Sequence, residues 1–371
     1  MLFVLSGGGT AGHINPALAL TEELTARGHD VRFAGTPTGV EARLVPAAGV
    51  EFAAFEASGF NRSHPATIVR ALRLIQRSTH KAQEWFSSID PDCVVGFGGY
   101  VCIPVARAAN KRGIPVVVHE QNSVMGLANK ALSLRAVRVA LTYEAAGAAV
   151  SDRSKIVLTG NPVRRSVFDA SREEGRDYCG VAQDATLLTV FGGSLGARHI
   201  NTAVAALKDG LLSRPGLFVR HITGPKEFDS VVESLSLTED EQRRWQVVGY
   251  EDQMGRVLAA SDCVVSRAGA TSLAEISALQ IPALLVPYPH ATADHQTANA
   301  RSYVDRGAAY LVADDDVEGP EFAERLFALV DDAEVRASMR AAAATFETRN
   351  ASARLADVVI DAALTNAARG K

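Results

Sequence analysis

Residues 261–299 read SDCVVSRAGATSLAEISALQIPALLVPYPHATADHQTAN, and this stretch decides the fold. The apolar run Cys263–Val265 has the length and composition of a buried strand. It ends at Ser266-Arg267-Ala268-Gly269, and Thr271 and Ser272 then stand where an N-cap belongs, ahead of a helix over Leu273–Leu279. Ile281-Pro282 stops that helix. Ala283–Val286 makes a second buried strand, and Pro287–Asn299 is a polar loop passing into another helix. Strand, glycine turn, helix and strand together make a βαβ unit of a parallel sheet.

The same stretch is suited to an anion. Free backbone N–H groups and the positive end of the helix dipole point at whatever sits on the glycine turn. Glu275, one turn into the helix, can accept two hydrogen bonds from a vicinal sugar diol. Asp294-His295-Gln296 adds hydroxyl-reading groups at the carboxyl end of the next strand, where open α/β sheets bind ligands. The residues suggest a nucleotide-sugar site, and a plain βαβ unit with a capped helix has the same pattern.

Upstream, Leu187–Phe191 is a strand, Gly192-Gly193-Ser194-Leu195-Gly196-Ala197 a glycine turn, and a helix follows from about Arg198. The amino-terminal half has the same plan. Leu2–Ser6 runs into Gly7-Gly8-Gly9-Thr10-Ala11-Gly12-His13; Asn15 is expected to cap a helix with Pro16 at its first position, ending at Gly28. Cys93–Phe97 ends in Gly98-Gly99-Tyr100, and Pro115–His119 ends in Glu120-Gln121-Asn122. Two βα arrays in series, each opening on a glycine-rich turn, predict two Rossmann-like domains with parallel sheets facing a central cleft. Thr159-Gly160-Asn161-Pro162 is the expected linker, and Ala333–Ala368 reads as two helices split near Thr345–Asn350. Neither the dinucleotide G-x-G-x-x-G spacing nor a Walker lysine is present.

At 371 residues, with 47% hydrophobic and 22% charged residues, the chain fits a soluble protein of two domains. A net charge of −4 gives no sign of a nucleic-acid partner. Cys93, Cys102, Cys179 and Cys263 lack metal spacing and read as reduced core residues of a cytosolic protein. Met1–Leu5 reads as a strand, with no basic flank or cleavage site, and no apolar run reaches the roughly 20 residues that cross a bilayer. Membrane contact is therefore expected to be peripheral. The segment Gly59–Asp90 carries Arg70, Arg73, Arg77 and Lys81 at helical spacing, Ile68, Leu72 and Ile75 on another face, and Trp85-Phe86 at its end. Such a helix fits an anionic membrane surface, or it is a surface helix with its apolar side in the core.

His13, at a glycine turn leading into a helix, is the best candidate general base, since an imidazole titrates near neutrality. Ser194 is placed to donate to a phosphate and Arg164 to neutralise a diphosphate. Asp90-Pro91-Asp92 has the form of an acidic metal motif but precedes its strand, so it reads as a loop; Asp314–Asp316 reads as a solvated turn. No His/Cys/carboxylate cluster has metal-ligand spacing, so no metal or other cofactor is expected, and backbone amides with arginine are expected to carry the leaving-group charge.

In register along the chain stand GGGTAGHINPAL (7–18), GFGGY (96–100), HEQN (119–122), GNPVR (160–164), GGSLGAR (192–198), SRAGATSLAE (266–275) and DHQTANA (294–300). With these seven stretches in order, the chain closely resembles the MurG family of GT-B glycosyltransferases. The resemblance implies an acceptor-binding and membrane-associating domain over 1–161 plus 347–371, and a UDP-GlcNAc-binding domain over 162–346. It implies inverting transfer of GlcNAc from UDP-GlcNAc to the muramyl 4-hydroxyl of lipid I, giving lipid II, by a peripheral enzyme on the cytoplasmic side of the cell membrane. By position, His13 would be the base. Thr10, Ala11 and Gly12 would lie alongside the donor, and the backbone of Ala270, Thr271, Ser272, Leu273 and Ala274 would hold the nucleotide. Glu275 would take the ribose, Ser194 and Arg164 the diphosphate, and Gln296 and Asn122 the GlcNAc. Gly98, Gly99, Tyr100 and Glu120 would face the acceptor. Segment 68–86 falls where the family carries its membrane patch. The alternatives are a related GT-B enzyme with another lipid or natural-product acceptor, and a UDP-GlcNAc 2-epimerase.

Overall fold

The computed structural model describes residues 1–58, 65–193, 196–346 and 348–369. Ser194 and residues 59–64 lie outside the described residues, as do the side chains of Ile68 and Arg70. The chain folds as two compact units, Met1–Arg164 with Thr348–Lys371, and Arg165–Glu347.

The first unit is built on a seven-stranded sheet: β1 (Leu2–Ser6), β2 (Asp30–Gly35), β3 (Glu51–Ala54), β4 (Cys93–Gly96), β5 (Val116–Glu120), β6 (Arg138–Leu141) and β7 (Ile156–Leu158). The order is β3-β2-β1-β4-β5-β6-β7, with every pairing parallel. β5 reads Val-Val-Val-His-Glu and is buried at every position. Uninterrupted β-branched residues suit it because helices cover both faces of a parallel sheet. Phe3, Leu5, Ile14, Phe97 and Leu355 fill one core layer; Val4, Phe86, Val105 and Val118 fill another.

The second unit repeats the plan with β8 (Thr186–Phe191), β9 (Leu217–Ile222), β10 (Trp245–Val248), β11 (Cys263–Ser266), β12 (Ala283–Leu285) and β13 (Ala309–Leu311). Its order is β10-β9-β8-β11-β12-β13, again all parallel. In both sheets the order reverses beside the first strand of the unit, between β1 and β4 and between β8 and β11. Ligands of open α/β sheets bind at such switch points, outside the carboxyl ends of the strands.

Two helix starts differ from the sequence reading. The first helix spans Ala11–Ala26, with Thr10 extended at its N-cap (φ −145°, ψ 152°) and Pro16 inside it. Asn15 does not cap. Ile14, fully buried with Leu5 and Phe97, anchors the turn ahead of the proline, so packing outweighs the lost amide hydrogen bond. The helix after β11 spans Ala270–Ala278 and is capped by Gly269 (φ −66°, ψ 142°) without any side-chain cap. Thr271 and Ser272 therefore lie within its first turn.

The basic segment forms the helix Pro65–Ile89. Ala71, Ile75, Ser78, Thr79, Ala82 and Phe86 turn into the core, while Leu72, Arg73 and Arg77 face solvent. Trp85 packs against Phe55 at a 5.5 Å ring separation. The aromatics expected at a membrane surface thus belong largely to the core. Among the described residues no helix is long and apolar enough to cross a membrane.

Candidate active site

At the first switch point, the turns after β1 and β4 interlock. Gly8 N–H donates to the Gly98 carbonyl at 3.2 Å. Gly98 and Gly99 take φ of +115° and +85°, which L side chains rarely adopt. A Cβ on Gly99 would lie 2.6 Å from the Gly8 oxygen, so the close approach requires glycine. His13 projects from the first turn of its helix with Nδ1 2.8 Å from the Gly8 carbonyl oxygen. A carbonyl can only accept, so Nδ1 carries the hydrogen and Nε2 keeps its lone pair. Thr10 is exposed, Ala11 and Gly12 are half-buried, and Tyr100 is 41% exposed beside the glycines. Ala11 adopts helical geometry, which a methyl group does not oppose.

Glu120 is buried, and its carboxylate accepts from Asn122 N at 3.1 Å, Gly126 N at 3.0 Å and Asn129 Nδ2 at 2.9 Å. It holds the loop after β5, in which Asn122 is half-buried. The neighbouring His119 accepts from Gln121 Nε2 at 3.0 Å and donates through Nε2 to the Gly160 carbonyl at 3.0 Å. Burial lowers it to about 4, so it stays neutral.

Glu41 was not visible as a site residue. It lies at the start of the helix Glu41–Ala47, where an acid ordinarily serves the helix dipole. Instead it is fully buried beneath the glycine turn and accepts from Gly9 N at 3.2 Å. The only sequence signal is the pair of glycines, Gly35 and Gly39, that flank it.

In the second unit, Thr271 and Ser272 precede the first intrahelical hydrogen bond, Leu273 N to Gly269 O at 3.0 Å. Their amides belong to the orphan group of a helix start. Leu273 and Ala274 are buried in the helix, so an expected backbone contact from them lacks a free amide at Leu273. The Thr271 hydroxyl is buried with no hydrogen-bond partner. One turn on, the Glu275 carboxylate has no partner among the described residues, and burial pushes it up to about 7. A buried hydroxyl and an unpaired carboxyl on one turn are costly unless a ligand completes them.

Gln296 joins the loops after β11 and β12. Its Oε1 accepts from Ala268 N at 3.1 Å and Tyr288 N at 2.9 Å, which fixes the orientation of its amide. Arg267 reinforces this join by donating to the carbonyls of Val286 and Pro287, at 3.2 and 3.0 Å, and to Asp314. Asp314 also meets His199 Nδ1 at 2.6 Å and is only 5% exposed. Of the solvated turn expected over Asp314–Asp316, Asp315 and Asp316 are exposed, whereas Asp314 is buried in an ion pair with Arg267. In the glycine turn after β8, a Cβ on Gly196 would clash with the Thr223 carbonyl.

Arg164 closes the first unit, donating to Glu22 Oε1 through Nε at 2.8 Å and Nη2 at 2.7 Å. A diphosphate at Arg164 would have to share it with Glu22. Asp92 accepts from Leu2 N at 2.7 Å, at the opposite, amino end of β1 and β4. All four cysteines are buried and free. Among the described residues no three His, Cys, Asp or Glu side chains gather to hold a metal ion.

Two doubly wound parallel sheets, each with a glycine turn at its switch point, are the GT-B architecture, and the comparisons with known proteins make the chain a glycosyltransferase. The chain belongs to glycosyltransferase family 28: the family's N-terminal domain matches residues 3–141 and its C-terminal domain residues 187–355. It is 36% identical over 363 residues to the UDP-N-acetylglucosamine–N-acetylmuramyl-(pentapeptide) pyrophosphoryl-undecaprenol N-acetylglucosamine transferase of Acetivibrio thermocellus, covering 97% of this chain and 98% of that one. The enzyme of the same name from Halothermothrix orenii is 38% identical over 337 residues, 90% of this chain and 91% of its own. The crystal structure of Acinetobacter baumannii MurG matches with a TM-score of 0.76 at 27% identity, over 97% of this chain and 99% of that one.

Proposed function

We propose that this chain transfers GlcNAc from UDP-GlcNAc to the 4-hydroxyl of the muramyl sugar of lipid I, inverting the anomeric centre and forming lipid II. The observation that carries this reading is the likeness to transferases of that name over 97% of the chain. The geometry of the two switch points supports the roles. His13 Nε2 takes the proton of the acceptor hydroxyl while that oxygen attacks the anomeric carbon, and the bond from that carbon to the UDP oxygen breaks. Amides at the Gly192-Gly193 turn and at Thr271-Ser272, together with Ser194 and Arg164, meet the charge on departing UDP.

Glu275 receives the ribose diol, Gln296 and Asn122 bind the GlcNAc, and Thr10–Gly12 run alongside the donor. Gly98, Gly99 and Tyr100 face the acceptor. The first unit is then the acceptor and membrane unit, and the second the UDP-GlcNAc unit. The enzyme sits peripherally on the cytoplasmic face of the membrane, with Arg73 and Arg77 drawn to anionic lipid.

The test is transfer of labelled GlcNAc to a short-chain lipid I analogue in excess EDTA. Labelled disaccharide product is expected. Bound UDP-GlcNAc with no product, with or without magnesium, would overturn the acceptor assignment, and UDP-ManNAc as the product would replace transfer by epimerisation.

A further inference from the structure

The peptide group between Gly8 and Gly9 faces two ionisable side chains at once. Its carbonyl oxygen lies 2.8 Å from His13 Nδ1, and its N–H donates to Glu41 Oε2 at 3.2 Å. The chain has no cis peptide bonds among the described residues, so these hydrogen bonds leave opposite edges of one conjugated plane. We infer that Glu41 is a positioning residue for His13, acting through the Gly8–Gly9 peptide as a carboxylate–peptide–imidazole relay. This inference rests on the reading of His13 as the base.

The site is built around that carboxylate. Glu41 also accepts from Thr36 N at 3.0 Å and Thr36 Oγ1 at 2.5 Å, which fixes it against rotation. Three glycines make room for it: a Cβ on Gly8 would lie 2.7 Å from Glu41 Oε1, one on Gly35 would lie 2.6 Å from its Cγ, and one on Gly39 would clash with both oxygens. No Lys or Arg pairs with Glu41 among the described residues, although it is fully buried. An unpaired buried carboxylate is costly to the fold, and a structural role alone is served as well by a neutral acceptor.

A carboxylate that accepts the Gly9 N–H pulls the amide proton and shifts electron density toward the Gly8 oxygen. That oxygen becomes a stronger acceptor for Nδ1–H, since hydrogen bonds in a chain polarise one another. Two consequences follow for the ring. The Nδ1–H tautomer is fixed with Nε2 bare, and the imidazolium formed after proton capture is stabilised. Directly paired Asp–His dyads achieve the same effect with the carboxylate on the ring itself. The remaining neighbours of the relay are neutral. Cys102, whose thiol donates to the Gly98 carbonyl at 2.9 Å, is pushed up to about 11, mainly by burial with the Glu41 charge adding, and so stays protonated.

The experiment is Glu41→Gln, which removes the charge and keeps one of the two accepting oxygens, so that its NH₂ comes to face either Gly9 N–H or Thr36 N–H. Turnover is expected to fall about tenfold or more, with the acid limb of the pH–kcat profile moved to lower pH and the UDP Kd unchanged. An unchanged kcat and acid limb would overturn the relay. Nitrogen NMR of His13 gives a readout independent of activity. In the wild type the neutral ring should carry its proton on Nδ1, and in Glu41→Gln it should titrate at lower pH. A neutral ring protonated on Nε2 in the wild type would overturn the relay even where the variant does not fold. Full turnover in His13→Ala would remove the base reading, and the His13 titration would still decide the relay.

Discussion

A Cβ placed on Gly98 would lie 2.8 Å from Nε2 of His13, the nitrogen left free by the hydrogen bond to Gly8. Gly98→Ala therefore acts twice. It strains a backbone at φ +115° and pushes a methyl onto the basic nitrogen. Stability should fall by about 1–3 kcal/mol. Turnover should fall by about 100-fold, as when a base is removed. Steady-state kinetics beside thermal unfolding check this; a variant that loses stability but keeps kcat would place the reacting hydroxyl elsewhere.

UDP affinity should depend on pH through Glu275. Ribose hydroxyls donate to the ionised carboxylate, so a bound ligand lowers a pKa that burial holds near 7. Affinity should rise as pH increases through 7 and level off above it, which calorimetry from pH 6 to 8 reads directly.

The stability consequence has the opposite sign. Glu275 is raised in the folded state, so its contribution is fully present below the unfolded carboxyl pKa and is lost as pH rises through about 7. Glu275→Gln should be more stable than wild type at pH 8 by about 1–3 kcal/mol and indistinguishable near pH 4. Its UDP affinity should fall by about 1–3 kcal/mol. Denaturant curves at the two pH values check the first claim, and equal curves at pH 8 would show that Glu275 is solvated.

Asp314→Ala leaves the buried Arg267 without its partner. Breaking such a pair should cost about 3–5 kcal/mol and lower Tm accordingly. Arg267 holds the Val286 and Pro287 carbonyls, so UDP-GlcNAc affinity should fall as well. A variant with wild-type Tm would return Asp314 to the solvated turn read from sequence.

Arg73 and Arg77 are exposed beside Leu72, which is 58% exposed. Arg73→Glu with Arg77→Glu should weaken binding to phosphatidylglycerol vesicles by about 1 kcal/mol per lost arginine or more, and leave UDP binding intact. Unaltered sedimentation with vesicles would move the membrane contact off this helix.

The parallel sheets were legible because each central strand is a short apolar run ending in glycine or polar residues. Helix starts were less so. Ile14 extends the first helix backward past Pro16 through burial that no local pattern announces, and Gly269 takes the cap that Thr271 was expected to supply. Glu275 and His13 stand out as candidates from their position in a turn. The roles of Glu41, Asp314 and Glu120 could not be read there, because they depend on partners 2–115 residues away in the chain, from Asn122 for Glu120 to His199 for Asp314. An isolated acid in a polar segment reads as solvated until its partners are known. The aromatic pair Trp85-Phe86 left two readings open, since helical spacing alone does not say which face is covered.

The central claim is a division of labour, with the base at the first switch point and the nucleotide at the second. It is tested most directly by measuring turnover and UDP binding together in His13→Ala and Glu275→Ala. The account predicts that His13→Ala loses turnover with UDP affinity unchanged, while Glu275→Ala loses UDP affinity. Parallel losses of both quantities in both variants would contradict it.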